Sequence, residues 1–202
     1  MIAIIDYGMG NLYSVEKALA KLGADATITS DPQVITAADH VVLPGVGAFG
    51  DCMRNLEKSG LVPVIRQVIA AGVPFLGICL GLQLLFDGSE EDPGVAGLGI
   101  FPGMVRKIVA PGFKIPHMGW NSIRIERPSP LFATVPANSY VYFVHSYHAV
   151  PDDPELVTAV TDYGGSVTAA VGRGNVQAVQ FHPEKSSSVG MLILEGFKGM
   201  SV

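Results

Sequence analysis

In the first half of the chain, short apolar runs alternate with segments whose apolar positions recur every three or four residues. The run at residues 2–5 is closed by Asp6-Tyr7-Gly8-Met9-Gly10-Asn11, and Leu12, Val15, Leu19 and Leu22 then recur at helical spacing up to Gly23. That pattern predicts strand, glycine turn and helix. A second unit follows, with a strand at 26–29, a short helical turn at 36–38 and a buried strand at 41–43 that ends in Pro44-Gly45-Val46-Gly47. Helical patterns cover 51–56 and 62–71, and the apolar run from Phe75 to Ile78 reads as the most central strand, followed by a helix over 80–86. Apolar runs bounded by Gly or Pro and alternating with helices predict an α/β fold, a central mostly parallel sheet flanked by helices. Beyond Asp87 the pattern changes to strands with short connections, at 99–108, 122–126, 140–144, 157–161, 168–172 and 176–181, which predicts an added antiparallel portion in the C-terminal half. A last helix spans 189–197. With no internal repeat and no linker, residues 1–202 read as a single domain.

Composition narrows the function classes. Of 202 residues, 49% are hydrophobic and only 15% charged, with 24 Gly and 14 Pro, against an average of about 25% charged in soluble domains. A chain this apolar either buries much of its length in a central sheet or offers a surface to a partner. Lys and Arg number 13 against 18 Asp and Glu, a net charge of −5 with no basic cluster, which argues against a nucleic-acid partner. The two cysteines, Cys52 and Cys79, show neither disulfide nor CxxC spacing, and the start of the chain meets Asp6 without a basic region, unlike a signal peptide. These features point to the cytoplasm. The uncharged stretch 67–86 approaches the length of a membrane span, but Gly72, Pro74, Gly77, Gly81 and Gln83 break it.

The most informative segment is Gly77-Ile78-Cys79-Leu80-Gly81, an apolar strand running into a helix through a nucleophile with glycine two residues away on each side. A strained strand-to-helix elbow needs small residues there so that the nucleophile projects from the sheet without backbone collision. The start of the following helix favours the thiolate, and the Leu80 amide faces a developing oxyanion. The alternative is an inert buried cysteine; the two glycines favour the nucleophile. Phe181-His182-Pro183-Glu184 supplies a base and leaving-group acid after the last buried strand. On an extended segment residues two apart share a face, so Glu184 can orient His182. His145 and His148, three apart on an apparent strand, point to opposite faces, and His40 and His117 have no convergent partners in sequence, so no metal is assigned. Pro44-Gly45-Val46-Gly47 offers a second oxyanion donor, the Val46 amide, on a backbone that Gly45 and Gly47 free from the usual constraints. Cys52 reads as a small packed hydrophobe.

Together these motifs resemble the class I (triad) glutamine amidotransferases. Gly77-Ile78-Cys79-Leu80-Gly81-Leu82-Gln83 and Phe181-His182-Pro183-Glu184 match the class, and Asp6 to Asn11, Pro44 to Gly47, Pro116-His117-Met118-Gly119-Trp120-Asn121 and His145-Ser146-Tyr147 match a member that serves histidine biosynthesis. The resemblance covers essentially the whole chain and implies a flavodoxin-like fold and a glutaminase that needs no cofactor. It implies Cys79, His182 and Glu184 as the triad, Val46 and Leu80 with Gly45 and Gly47 as the oxyanion hole, and Gln83 and Glu91 as the glutamine-binding residues. It further implies a heterodimer with a (β/α)₈ barrel cyclase subunit that uses the ammonia, with Trp120, Tyr142 and Lys185 facing that partner. The glutaminase subunit of another amidotransferase, or a free-standing cysteine hydrolase, is the competing enzyme reading. A binding protein that kept the fold and lost activity would normally show a replaced Cys, His or Glu, and all three stand.

Overall fold

The structure, a computed structural model, describes residues 1–201. In chain order the elements of the first half are β1 (Ile2–Ile5), α1 (Leu12–Lys21), β2 (Ala26–Thr29), α2 (Pro32–Thr36), β3 (His40–Gly45), α3 (Phe49–Lys58), α4 (Val62–Ala70), β4 (Phe75–Cys79) and α5 (Leu80–Gln83). The second half continues with β5 (Gly88–Ser89), β6 (Gly103–Lys107), β7 (His117–Ser122), β8 (Arg124–Ile125), β9 (Tyr140–His145), β10 (Tyr147–Pro151), β11 (Val157–Asp162), β12 (Ser166–Arg173), β13 (Val176–Val179) and α6 (Ser187–Lys198).

The main sheet has the order β2-β1-β3-β4-β13-β12-β11-β8. Pairing is parallel from β2 through β13 and antiparallel from β13 to β8. Every residue of β1, β4 and β13 is buried, as expected of parallel strands covered on both faces. Two small sheets, β10-β6-β5 and β7-β9, stand beside the main one. Strands β3 and β4 run side by side with Gly45 opposite Cys79, so both glycine motifs end at the carboxyl edge of the sheet, where open α/β sheets form their crevices.

Several boundaries differ from the sequence reading, each for a local reason. The helical turn expected at 36–38 lies earlier, at α2, because Asp31 accepts the Gln33 amide as N-cap and Pro32 takes the first helical position. The helix expected over 80–86 stops at Gln83. The carbonyls of Leu84, Leu85 and Phe86 accept the amides of Leu98, Ile100, Phe101 and Gly99 instead, which opens the next turn and also removes 99–101 from the strand expected at 99–108. The strand expected at 122–126 shrinks to β8. Strand β7 was not anticipated: His-Met-Gly-Trp-Asn-Ser has no apolar alternation, and its pairing with β9 in continuous register defines it.

Helix α6 reaches the sheet through glycine. A Cβ added at Gly190 would lie 1.8 Å from the Pro183 carbonyl oxygen, so the helix can approach the 183–185 turn only without a side chain there. Gly190→Ala is expected to lower the unfolding free energy by about 1–3 kcal/mol or more, measured by urea denaturation. Gly199→Ala, whose Cβ would come no closer than 3.5 Å to its neighbours, is expected to change it by less than about 0.5 kcal/mol.

Candidate active site

Cys79 ends β4 at φ 55 and ψ −110, a backbone conformation that a side-chain-bearing residue adopts only under constraint. The constraint is close packing. A Cβ at Gly81 would sit 1.8 Å from the Leu43 carbonyl oxygen, and one at Gly77 would sit 2.7 Å from the Gly81 carbonyl oxygen. The two glycines of the sequence motif therefore bring the elbow, β3 and α5 into contact, and Cys79 is driven into the strained turn between them. Because α5 is only four residues long, its dipole contributes little, and the groups beside the sulfur matter more.

The first of those groups is His182. Its Nδ1 bonds Glu184 Oε1 at 2.8 Å, and its ring lines the same cavity as Cys79. Residues 183–185 form a 3-10 turn rather than the extended segment expected, so Glu184 reaches back to His182 around a turn. Three bonds fix the imidazole's backbone: the His182 amide donates to the Tyr142 carbonyl at 3.0 Å, the Ser186 hydroxyl donates to the His182 carbonyl at 2.6 Å, and the Tyr142 amide donates to the Ser186 hydroxyl oxygen at 3.0 Å. Burial opposes charge on His182, but the neighbouring Cys79 and its hydrogen-bonded partner Glu184 outweigh it and raise the pKa to about 9. His182 is therefore an imidazolium at neutral pH.

The 44–47 loop borders the sulfur. Val46 and Gly47 line the cavity with Leu80, whereas Gly45 does not. Gly45 is covered by Leu80 and Tyr7, whose Cβ and hydroxyl would lie 2.7 and 2.9 Å from an added Cβ. The glycine at 45 therefore also serves close packing. Below the loop, the Tyr7 hydroxyl donates to the Pro44 carbonyl at 2.9 Å and the Cys52 thiol donates to the Val46 carbonyl at 3.3 Å. Burial pushes both groups' pKa values up, so both keep their protons, and Cys52 is a hydrogen-bond donor as well as a packed hydrophobe.

The cavity above Cys79 has a volume of about 320 Å³ and is lined by residues from both motifs, with Gln83, Glu91 and the 145–147 segment opposite. Glu91 Oε2 accepts the Phe49 amide at 2.8 Å. Gln83 Nε2 donates to the Tyr147 carbonyl and to Gln180 Oε1, both at 3.1 Å, while Gln83 Oε1 is buried without a partner. Two features escaped the sequence reading. Gln180, wholly buried, places its Nε2 3.8 Å from Cys79 Sγ; a glutamine inside the apolar run that leads to His182 was the available signal. His117 does have a partner. Opposite each other on β7 and β9, His117 Nδ1 and His145 Nε2 lie 2.9 Å apart, with His117 stacked between Phe143 and Tyr163. His145 and His148 prove to lie on separate strands, β9 and β10.

Trp120 and Tyr142 are cross-strand partners on β7 and β9 with their rings edge to face, and Lys185 is exposed on the turn after His182. Trp120 is 52% exposed, and Met118 and Tyr140 are exposed on the same two strands.

A cysteine at a strained elbow, beside an imidazolium that a carboxylate orients, defines a cysteine hydrolase of the triad type on an open α/β sheet. A family profile described as glutamine amidotransferase class-I matches residues 3–197. The chain is 57% identical over 196 residues to the imidazole glycerol phosphate synthase subunit HisH of Moorella thermoacetica, covering 97% of this chain and 93% of that protein. It is 53% identical over 208 residues to the protein of the same name in Syntrophotalea carbinolica, covering 99% and 100%. Among solved structures, PurLQS from Thermotoga maritima superposes with a TM-score of 0.77 at 19% identity, covering 98% of this chain and 96% of that one. The glutaminase domain of Trypanosoma brucei CTPS with bound acivicin superposes at 0.66 and 18% identity, covering 100% and 94%. These two likenesses concern the fold. The chain belongs to the class I glutamine amidotransferase family.

The histidines set the pH response. Burial lowers His117 to about 4 and His145 to about 3, so the unfolded chain binds more protons below about 6.5. Their contribution is complete above that pH and is lost as pH falls, by up to about 1.4 kcal/mol per pH unit for each histidine. His182 acts oppositely: its stabilisation is complete below about 6.5 and is lost as pH rises through about 9. Unfolding free energy measured by urea from pH 4.5 to 9.5 is expected to fall at both ends, and a flat acid side would contradict the buried neutral pair.

Proposed function

We propose that this chain is the glutaminase subunit of an imidazole glycerol phosphate synthase, hydrolysing glutamine to glutamate and ammonia. The ammonia passes to a (β/α)₈ barrel cyclase subunit that makes imidazole glycerol phosphate and AICAR in histidine biosynthesis. The observation that carries this reading is the His182–Glu184 hydrogen bond with His182 and Cys79 opening into one cavity with Gln83 and Glu91.

The side-chain amide of glutamine enters with its carbonyl carbon beside Cys79 Sγ. Glu91 supplies negative charge for the substrate ammonium, and Gln83 lines the same cavity beside the substrate. The thiolate attacks the amide carbon, and the charge that forms on oxygen is met by the Leu80 amide and an amide of Val46 or Gly47. The His182 imidazolium gives its proton to the amide nitrogen, the C–N bond breaks, and ammonia leaves a glutamyl thioester. The imidazole, now neutral, takes a proton from water as that water attacks the thioester. Breakage of the C–S bond restores the thiolate and releases glutamate. Glu184 holds the ring with Nδ1 as donor throughout, so the other nitrogen exchanges the proton.

The exposed Trp120 and Tyr140, the Trp120–Tyr142 pair and Lys185 support a docking face for the cyclase on β7, β9 and the 183–185 turn. A hydrophobic core that joins β1 to α6 supports reading the chain as one domain. Free Cys52 and Cys79 fit a reducing cytoplasm.

The test is glutamate release by the chain alone and with the cyclase plus a ligand of that cyclase. Cys79→Ala is expected to abolish glutamine hydrolysis yet leave ammonia-supported synthesis in the complex intact, because the nucleophile serves only to make ammonia. Loss of both activities would contradict the assignment.

A further inference from the structure

We propose that Gln180 is a further catalytic residue, whose side-chain N–H donates to the Cys79 sulfur and keeps it an aimed thiolate, in an orientation that Gln83 enforces. The inference rests on Cys79 being the glutaminase nucleophile and deepens that site.

Its direction follows from hydrogen-bond inventory. A carboxamide nitrogen has two protons and accepts none, whereas a backbone carbonyl only accepts. Gln83 faces the Tyr147 carbonyl at 3.1 Å, so it must present Nε2 there. The second proton of that nitrogen goes to Gln180 at 3.1 Å, so Gln180 must present Oε1 to Gln83. Its Nε2 is then left facing Cys79 Sγ, at 3.8 Å. Flipping Gln180 would set two N–H groups against each other and an oxygen against the thiolate, in a site where Gln180 has no exposed surface.

The anchor is itself held. The Tyr147 carbonyl fills its second lone pair from His145 Nδ1 at 2.8 Å, which leaves His145 Nε2 an acceptor for His117 Nδ1–H at 2.9 Å. His117 Nε2 then accepts from Asn121 Nδ2 at 3.2 Å, and Asn121 Nδ2 also donates to the Asp162 carbonyl at 2.9 Å. Each proton in this chain from β7 to the nucleophile has one consistent position, between two backbone carbonyls that can only accept. Both histidines are neutral at pH 7, as the arrangement requires. The ionisable groups around the sulfur include His182, His145 and Glu91 on the same cavity, and Tyr7 and Cys52 beneath the 44–47 loop. Of the carboxamides around the site, Gln180 alone donates to the sulfur, and an N–H bond to a charged acceptor is stronger than one to a neutral group. It favours the thiolate before attack and stabilises sulfur again as leaving group when the thioester is hydrolysed.

Gln180→Glu separates this role from support of Gln83, since a carboxylate still accepts from Gln83 Nε2 but turns an oxygen toward the sulfur. The expected result on the full chain is a kcat for glutamine hydrolysis at least about tenfold lower with KM within about twofold. Alkylation of Cys79 by iodoacetamide, followed by peptide mass spectrometry, should slow near neutral pH, and its pH profile should move alkaline by about one unit or more. If Gln180→Glu does not fold, Gln180→Met is read by the same alkylation profile, with the same expected displacement. A folded variant with the wild-type profile would overturn the proposal. Alkylation needs neither glutamine nor the cyclase, so failure of the wild-type chain to react at Cys79 would instead overturn the nucleophile assignment.

Discussion

Everything in the site depends on the backbone of one residue. Cys79, at φ 55 and ψ −110, stores strain of about 1–3 kcal/mol, and the fold supports it by removing side chains around it. Gly81 rests on the Leu43 carbonyl, Gly77 rests on Gly81, and Gly45 makes room for Leu80 and Tyr7. The parallel pairing of β3 with β4 then delivers the sulfur to the carboxyl edge of the sheet, beside the end of β13 from which His182 follows. Any relaxation of the elbow would carry Cys79 away from His182 and Gln180 together, which is why packing glycines and catalytic residues form one unit.

What could be read in the sequence was local. The elbow was legible because its glycines lie two residues from the nucleophile, and the His182–Glu184 pair because its spacing is short, although the turn that joins them is 3-10 rather than extended. The open parallel sheet was legible in the buried runs of β1, β3 and β4. The length of α5 was not, since its carbonyls are claimed by residues 98–101, which no local pattern announces. Gln180 on Cys79, and His117 on His145, depend on strand register between segments far apart in the chain. The packing role of Gly45 was not legible either, since only the approach of Leu80 and Tyr7 shows it.

The low charged fraction has two sources in the structure, a main sheet whose central strands are wholly buried and an aromatic face on β7 and β9. That face is not remote from the chemistry. On β9 the Tyr142 carbonyl accepts the His182 amide and the Tyr142 amide donates to the Ser186 hydroxyl, and β7 carries His117 and Asn121, where the polar chain toward Cys79 begins. A partner seated on Trp120 would thus rest on the same two strands that hold the His182 backbone and begin the polar chain toward Cys79.

The central claim is that Cys79 forms a glutamyl thioester. Rapid acid quench of the chain during glutamine turnover, in complex with the cyclase and its ligand, followed by peptide mass spectrometry, tests it most directly. The account predicts one glutamyl group on the peptide containing Cys79 and none on the peptide containing Cys52. Glutamate released at the full rate with no adduct on Cys79, or an adduct on Cys52, would contradict it.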